Sequence, residues 1–183
     1  MREQQTKMTS PKSIGLKIIM FLATAMLLLA YAPANADQTD PELDKLFAAL
    51  QTSLSNASAA SLERDIWTIW TRYPDDQAIN RQMDRAIKMM NAGRLDDAEA
   101  MFSAIISRKP AFAEAWNKRA TVRFFRGDDA GSANDILQVI KLEPRHFGAL
   151  SGLGMIKVRE GDLQGALQAY RAAQRINPFL PNI

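Results

Sequence analysis

From residue 79 to residue 178 the apolar and polar positions of this chain recur with a fixed period of 34. Gly93, Gly127 and Gly161 form one column, and Pro110, Pro144 and Pro178 another. Between them Ala98, Ser132 and Ala166 keep the same step, as do Phe102, Ile136 and Tyr170, and Ile105, Val139 and Ala173. Upstream, Ala86, Ala120 and Gly154 match, followed four residues later by Met90, Phe124 and Val158. Inside each period the apolar positions step by three or four, which places them on one face of a helix. Two such stripes separated by a glycine predict a helix–turn–helix unit. The glycine ends the first helix because it is free to take a positive φ. Asp96, Asp128 and Asp162 supply caps or first-turn acids for the second helix, and the proline, which has no N–H to continue the ladder, closes it. One unit cannot bury its own apolar faces, whereas stacked units bury each other's.

The remaining segments follow other patterns. Residues 41–73 read as an irregular helix pair packed on the first repeat. Asp40-Pro41 is a helix start, with a capping acid before a proline at the first helical position. Leu43, Leu46, Phe47 and Leu50 share one face of "ELDKLFAALQ". "TSLSNASAAS" reads as a loop, and "LERDIWTIWTRYP" as a second helix with Leu62, Ile66, Ile69 and Trp70 as its stripe and Pro74 as its stop. Trp67 is offset from that stripe and is expected to pack against the first repeat. In the tail, Pro178 and Pro181 forbid a further helix, so the apolar face of the last helix, near Phe179, Leu180 and Ile183, is expected to be covered by the tail itself or by a partner.

The first 36 residues change the reading of composition. Lys12 and Lys17 precede the apolar run Ile18 to Ala32, which is short for a membrane span. Pro33 and Ala34-Asn35-Ala36 follow, the small residues of a signal-peptidase site. Residues 1–36 are therefore expected to be a cleavable secretory signal and the chain to be periplasmic, with no stable anchor after processing. The leader carries four of the 23 Lys and Arg (Arg2, Lys7, Lys12, Lys17) and one of the 20 acids (Glu3), so nineteen of each remain. The formal charge of +3 thus belongs to the leader, and the remainder offers no basic balance that would suggest nucleic acid. With no cysteine, the chain holds no disulfide and no lipid-bearing thiol.

The residue pattern resembles the tetratricopeptide repeat: a 34-residue period, paired helices, small-residue columns and a closing proline. Trp116 and Ala120 stand in the Trp and Gly places of the middle unit, and Leu150, Leu153 and Gly154 in the Trp, Leu and Gly places of the last. Ala98 and Phe102, then Ala166, Tyr170 and Ala173, fill the places of the second helix. Gln82 replaces the Trp of the first unit, and Arg85, Arg119, Arg123 and Lys157 fall in columns that are commonly apolar. The N-terminal pair with "WNKRATV" and "EPRHFGALSGLG" also resembles small exported repeat proteins of α-proteobacteria. The resemblance implies an all-α solenoid of three repeats, at 79–112, 113–146 and 147–178, preceded by the helix pair within 37–78 and followed by a tail at 179–183.

A search for chemistry finds no catalytic set. His146 is the one histidine, precedes the first helix of its repeat, and is expected at the surface or at a helix cap. It has no facing nucleophile, since Ser151 is five residues on, and no zinc ligand set can be written. The glycines form no phosphate loop, and the paired aspartates at 75–76, 96–97 and 128–129 lie at helix starts, where acids favour the dipole. No cofactor or metal is expected, and no enzyme activity. The reading is a protein-interaction module, with a self-associating scaffold of the cell envelope as the alternative and an envelope enzyme ranked third. The family lines its concave groove with first helices. That resemblance points to Asn117, Lys118 and Thr121 as polar contacts, to Met83, Ile87, Phe125 and Met155 as apolar ones, and to Arg159 from the first helix of the last repeat. The columns that clasp a chaperone's C-terminal carboxylate in some family members here hold Met83, Ile87, Lys118, Gly148 and Gly152, so that clamp is missing. Arg119 and Arg123 either snorkel at a helix edge or pair with acids such as Asp135 or Glu143.

Overall fold

A computed structural model describes residues 37–180; the expected signal peptide and residues 181–183 lie outside the described residues. After a short 3-10 turn, Asp37–Thr39, come eight α-helices: α1 (Pro41–Gln51), α2 (Asn56–Trp70), α3 (Gln77–Asn91), α4 (Leu95–Arg108), α5 (Ala113–Phe125), α6 (Asp129–Leu142), α7 (Phe147–Arg159) and α8 (Leu163–Ile176). The architecture is an all-α solenoid in which α3–α4, α5–α6 and α7–α8 are the three repeats, and no described helix is long and apolar enough to cross a membrane.

The turns inside the repeats form as their residues require. Gly93, Gly127 and Gly161 have φ of 73°, 82° and 78°. Around Gly127 the Asp128 N–H donates to the carbonyl of Arg123, and the Gly127 N–H to that of Phe124; the same pair of bonds recurs around Gly93 and Gly161. This closure satisfies the last carbonyls of the helix and needs a left-handed residue at the glycine. Asp128 and Asp162 then cap α6 and α8, accepting from the N–H groups of Gly131 and Gly165. The first repeat differs, because Arg94 occupies that cap position and makes no side-chain cap bond. Asp96 lies in the first turn of α4 instead.

Among the described residues, two of the three hydrophobic cores are inter-repeat cores. Ile79, Met83, Ala86, Phe102, Ile105, Phe112 and Val122 pack at the junction of the first and second repeats. Ala120, Ile136, Val139, Ala149 and Ile156 do so at the second and third. Within a repeat the small column permits close packing: a Cβ on Gly154 of α7 would stand 2.5 Å from a ring carbon of Tyr170 of α8. Arg119 and Arg123 pair with acids. Arg119 grips Asp135 through Nε at 2.8 Å and Nη2 at 2.7 Å, and Arg123 bridges Asp135 (3.1 Å) to Glu99 (2.9 Å). Glu143, the other acid considered, pairs with Arg145.

The N-terminal helix pair departs most from expectation. Only its end reaches the first repeat, where Tyr73 joins the first core and Arg72 pairs with Asp84 at 3.2 Å; its two helices pack elsewhere. Its apolar stripe, Leu43, Phe47, Leu50, Ile66 and Trp70, shares a core with Phe147, Leu150 and Ala173 of the third repeat, and with Phe179 and Leu180 of the tail. The apolar face of the last repeat is therefore covered by the chain's own N-terminal pair and tail. Trp67 packs against His146 and Phe147 of that repeat's start rather than against the first repeat. Helix α2 also begins earlier than its pattern predicts. Ser55 caps it by accepting from the Ser58 N–H, and Ala59 is buried, so six residues expected in a loop, 56–61, are helical. Tertiary burial outweighs the weak local preference of Asn and Ser for caps and turns.

Candidate functional site

First helices α5 and α7 border a cleft of about 110 Å³, with Ser132 and Ile136 of α6 beside them. Its lining brings together four of the eight residues expected from sequence: Asn117, Thr121, Phe125 and Met155. Gly148 and Gly152 line it as well, so on that side backbone replaces side chain. Phe125 is 61% exposed and Met155 45%, which for large apolar side chains means that both stand open to solvent. The polar lining is largely committed to the fold. Asn117 Nδ2 donates to Glu114, the Thr121 hydroxyl to the Asn117 carbonyl, and the Ser132 hydroxyl to the Ala120 carbonyl. What the cleft offers an occupant is chiefly apolar contact.

The other four expected residues have different tasks. Met83 is fully buried in the first inter-repeat core, and Ile87 is half-buried against that core. Their side chains complete the packing of α3 on α4, which corrects Met83 as a contact residue. Lys118 stands over the Trp67 ring at 5.1 Å and pairs with buried Glu114 at 3.0 Å. Arg159 donates to the Phe124 carbonyl, pairs with Asp129 at 2.7 Å, and lies 3.7 Å from the Phe124 ring centre. Both cations are intramolecular fasteners.

Beside the cleft lies a buried polar cluster that sequence reasoning missed. Glu114, His146, Asn117 and Lys118 converge where α2 meets the third repeat. His146 caps α7, with Nδ1 accepting from the Ala149 N–H at 3.1 Å, so the ring proton sits on Nε2 and is donated to Glu114 Oε2 at 2.8 Å. The histidine is a cap, as one of the two expected readings had it, yet it has no exposed surface. Trp70 stacks on its ring at 4.1 Å and 9°. Burial pushes the Glu114 carboxyl up, but the Lys118 charge and the His146 hydrogen bond outweigh it and hold the group below the ordinary carboxylate range. Lys118 stands 3.0 Å from the second oxygen, Oε1, as an ion pair. The indole Nε1 of Trp70 is without a partner among the described residues. Only the position of Glu114 in the first turn of α5 hints at this in sequence; that it faces His146, 32 residues on, needs the superhelix.

The tetratricopeptide repeat family pattern matches residues 83–138 and 118–181. This chain belongs to the tetratricopeptide repeat family, whose repeats serve as protein–protein interaction modules and are generally non-enzymatic. A TPR repeat-containing protein of Rhizobium etli is 36% identical over 136 residues, covering 74% of this chain and 66% of that protein. The Cellulose synthase 2 operon protein C of Komagataeibacter xylinus is 32% identical over 97 residues, 52% of this chain and 7% of its own length. The human DnaJ homolog subfamily C member 3 is 26% identical over 100 residues, 55% of this chain and 20% of its own. The chain thus spans about two thirds of the first relative and small parts of the other two.

Proposed function

We propose that this protein is a periplasmic interaction module that holds a peptide or helix of a partner protein in the cleft between α5 and α7. The observation that carries this is the pair of exposed apolar side chains, Phe125 and Met155, at a cleft whose remaining polar groups are bonded to the fold. An apolar anchor entering there would displace water from Phe124, Phe125, Ile136 and Met155 without stranding a polar group. The leader pattern of residues 1–36 supports export and processing after Ala36. Binding falls chiefly to the exposed apolar side chains of Phe125 and Met155. A groove of this size suits micromolar affinity, on the order of −8 kcal/mol.

The test is photo-crosslinking in cells from a reactive amino acid placed at Phe125 and, as a control, at exposed Leu137 of α6. A discrete adduct in the periplasmic fraction from position 125, lost on Met155→Asp, supports the reading. Equal adducts from both positions, or an adduct indifferent to Met155→Asp, would remove the cleft as the working surface.

A further inference from the structure

The face of α3 that points away from the core repeats, in register, the face by which α5 and α7 each pack on a preceding helix. On α5 that face is Phe112, Ala115, Arg119 and Val122; it packs on α4, where Arg119 also bonds Ser103 and Arg123 bonds Glu99. Thirty-four residues earlier the same columns hold Ala78, Arg81, Arg85 and Lys88, all exposed. No described helix covers them, because α1 and α2 are docked on the third repeat. The three cations have no hydrogen bond or ion pair among the described residues, whereas most arginines of the array are matched to acids. Along their flank runs a shallow trough between α3 and α4 lined by Gln82, Met89, Met101, Ala100, Ala104 and Asp97. Its one acid, Asp97, already faces Arg94 at 3.8 Å. A polar outer face keeps a terminal repeat soluble; here its free charges are cationic, since the one acid on its edge, Asp84, is paired with Arg72 at 3.2 Å, and an apolar trough lies beside it.

A second copy of this chain is a poor occupant. The outward face of α8, the helix a stacked copy would present, carries exposed Gln164, Gln168, Arg171 and Arg175, and cation would meet cation. We infer that the α3 face docks an amphipathic helix of another protein whose carboxylates meet Arg81, Arg85 and Lys88 while its apolar side chains enter the trough by Met89 and Met101. The docked helix takes the place that α4 takes on α5. This surface is independent of the α5–α7 cleft.

The probe is an amidated, fluorescently labelled helical peptide of about 14 residues, four turns, with Glu at i, i+4 and i+7 and Leu on the adjacent face. Its control has Gln for every Glu. By anisotropy the purified protein should bind the Glu peptide roughly tenfold tighter than the Gln peptide, and the difference should shrink with added salt. The double change Arg81→Glu and Arg85→Glu should abolish that preference, and Met101→Asp should weaken binding. Arg171→Glu with Arg175→Glu, and Met155→Asp in the cleft, should leave it unchanged. Circular dichroism checks that each variant is folded. Equal binding of the two peptides, survival of the preference after reversal on α3, or its loss on reversal at Arg171 and Arg175 would overturn the assignment. So would capture of the protein by phosphatidylglycerol vesicles through Arg81 and Arg85 with no binding of the Glu peptide.

Discussion

Phe112 and His146 occupy the same place in successive repeats, and the N-terminal segment reaches both. At the first junction Tyr73 meets Phe112 edge-on, with ring centres 5.4 Å apart, and Lys109 stands over the tyrosine. At the second Trp70 stacks on His146 above a buried carboxylate. The same task, fastening a flanking helix to an inter-repeat loop, is done by apolar contact in one place and by a polar cluster in the other. The ring contact at the first junction tolerates a change of shape and carries no charge of its own, and the Lys109–Asp76 pair beside it (3.1 Å) is the part of that junction that feels pH. A buried ionised group is held only while each of its partners is present, and removing one leaves its desolvation uncompensated.

The largest contrast is in what leucine does at the two places. Phe112→Leu keeps an apolar side chain of similar bulk and should cost about 1 kcal/mol. His146→Leu takes one of the two hydrogen bonds from Glu114 Oε2, leaving only that of Asn117, and removes the cap of α7, and should cost about 3–5 kcal/mol. Urea midpoints at neutral pH compare the two, and equal losses would erase the distinction. A smaller effect comes from Gly148, where a Cβ would stand 2.6 Å from the Trp67 ring. Gly148→Ala should cost about 1–3 kcal/mol, with proteolysis appearing first between α1 and α2; Gly152→Ala, whose nearest atom is at 3.4 Å, should be close to neutral.

Much of the array was legible in sequence because its physics is local. A residue that must take a positive φ, a helix that must be capped and a stripe that must be buried recur at Gly127, Asp128 and Ala120. Arg119 and Asp135 were legible too, since both lie in adjacent helices of one unit. The docking of α1 and α2 was not. A stripe such as Leu62, Ile66 and Trp70 states that a face is buried and says nothing about which surface buries it. The hidden His146 was missed for a related reason, since its partners Glu114 and Trp70 reach it only through the superhelical turn. Half of the expected groove residues share one cleft, because a helical register fixes a face; it does not show that Lys118 and Arg159 are spent on Glu114 and Asp129.

Acid should separate the junctions further. Glu114 is held below the ordinary carboxylate range in the folded protein, so its contribution is present above its unfolded value and is lost as pH falls through the folded one. Hydrogen-exchange protection, taken relative to the intrinsic rate at each pH, should fall first at the start of α7 and in α2 between about pH 5 and pH 3, with the Phe112 junction lagging. Glu114→Gln should flatten that dependence while weakening the protein at neutral pH. The smallest effect expected is Phe125→Ala: at an exposed position it should alter stability by less than about 0.5 kcal/mol while diminishing the crosslink at the cleft.

The docking of the N-terminal pair on the third repeat is tested most directly by a double-mutant cycle between Trp70→Ala and His146→Ala, read as urea-unfolding free energies. Stacked side chains should show a coupling of about 0.5–3 kcal/mol. Additivity within about 0.3 kcal/mol would mean that the two side chains do not meet and that α2 is held elsewhere.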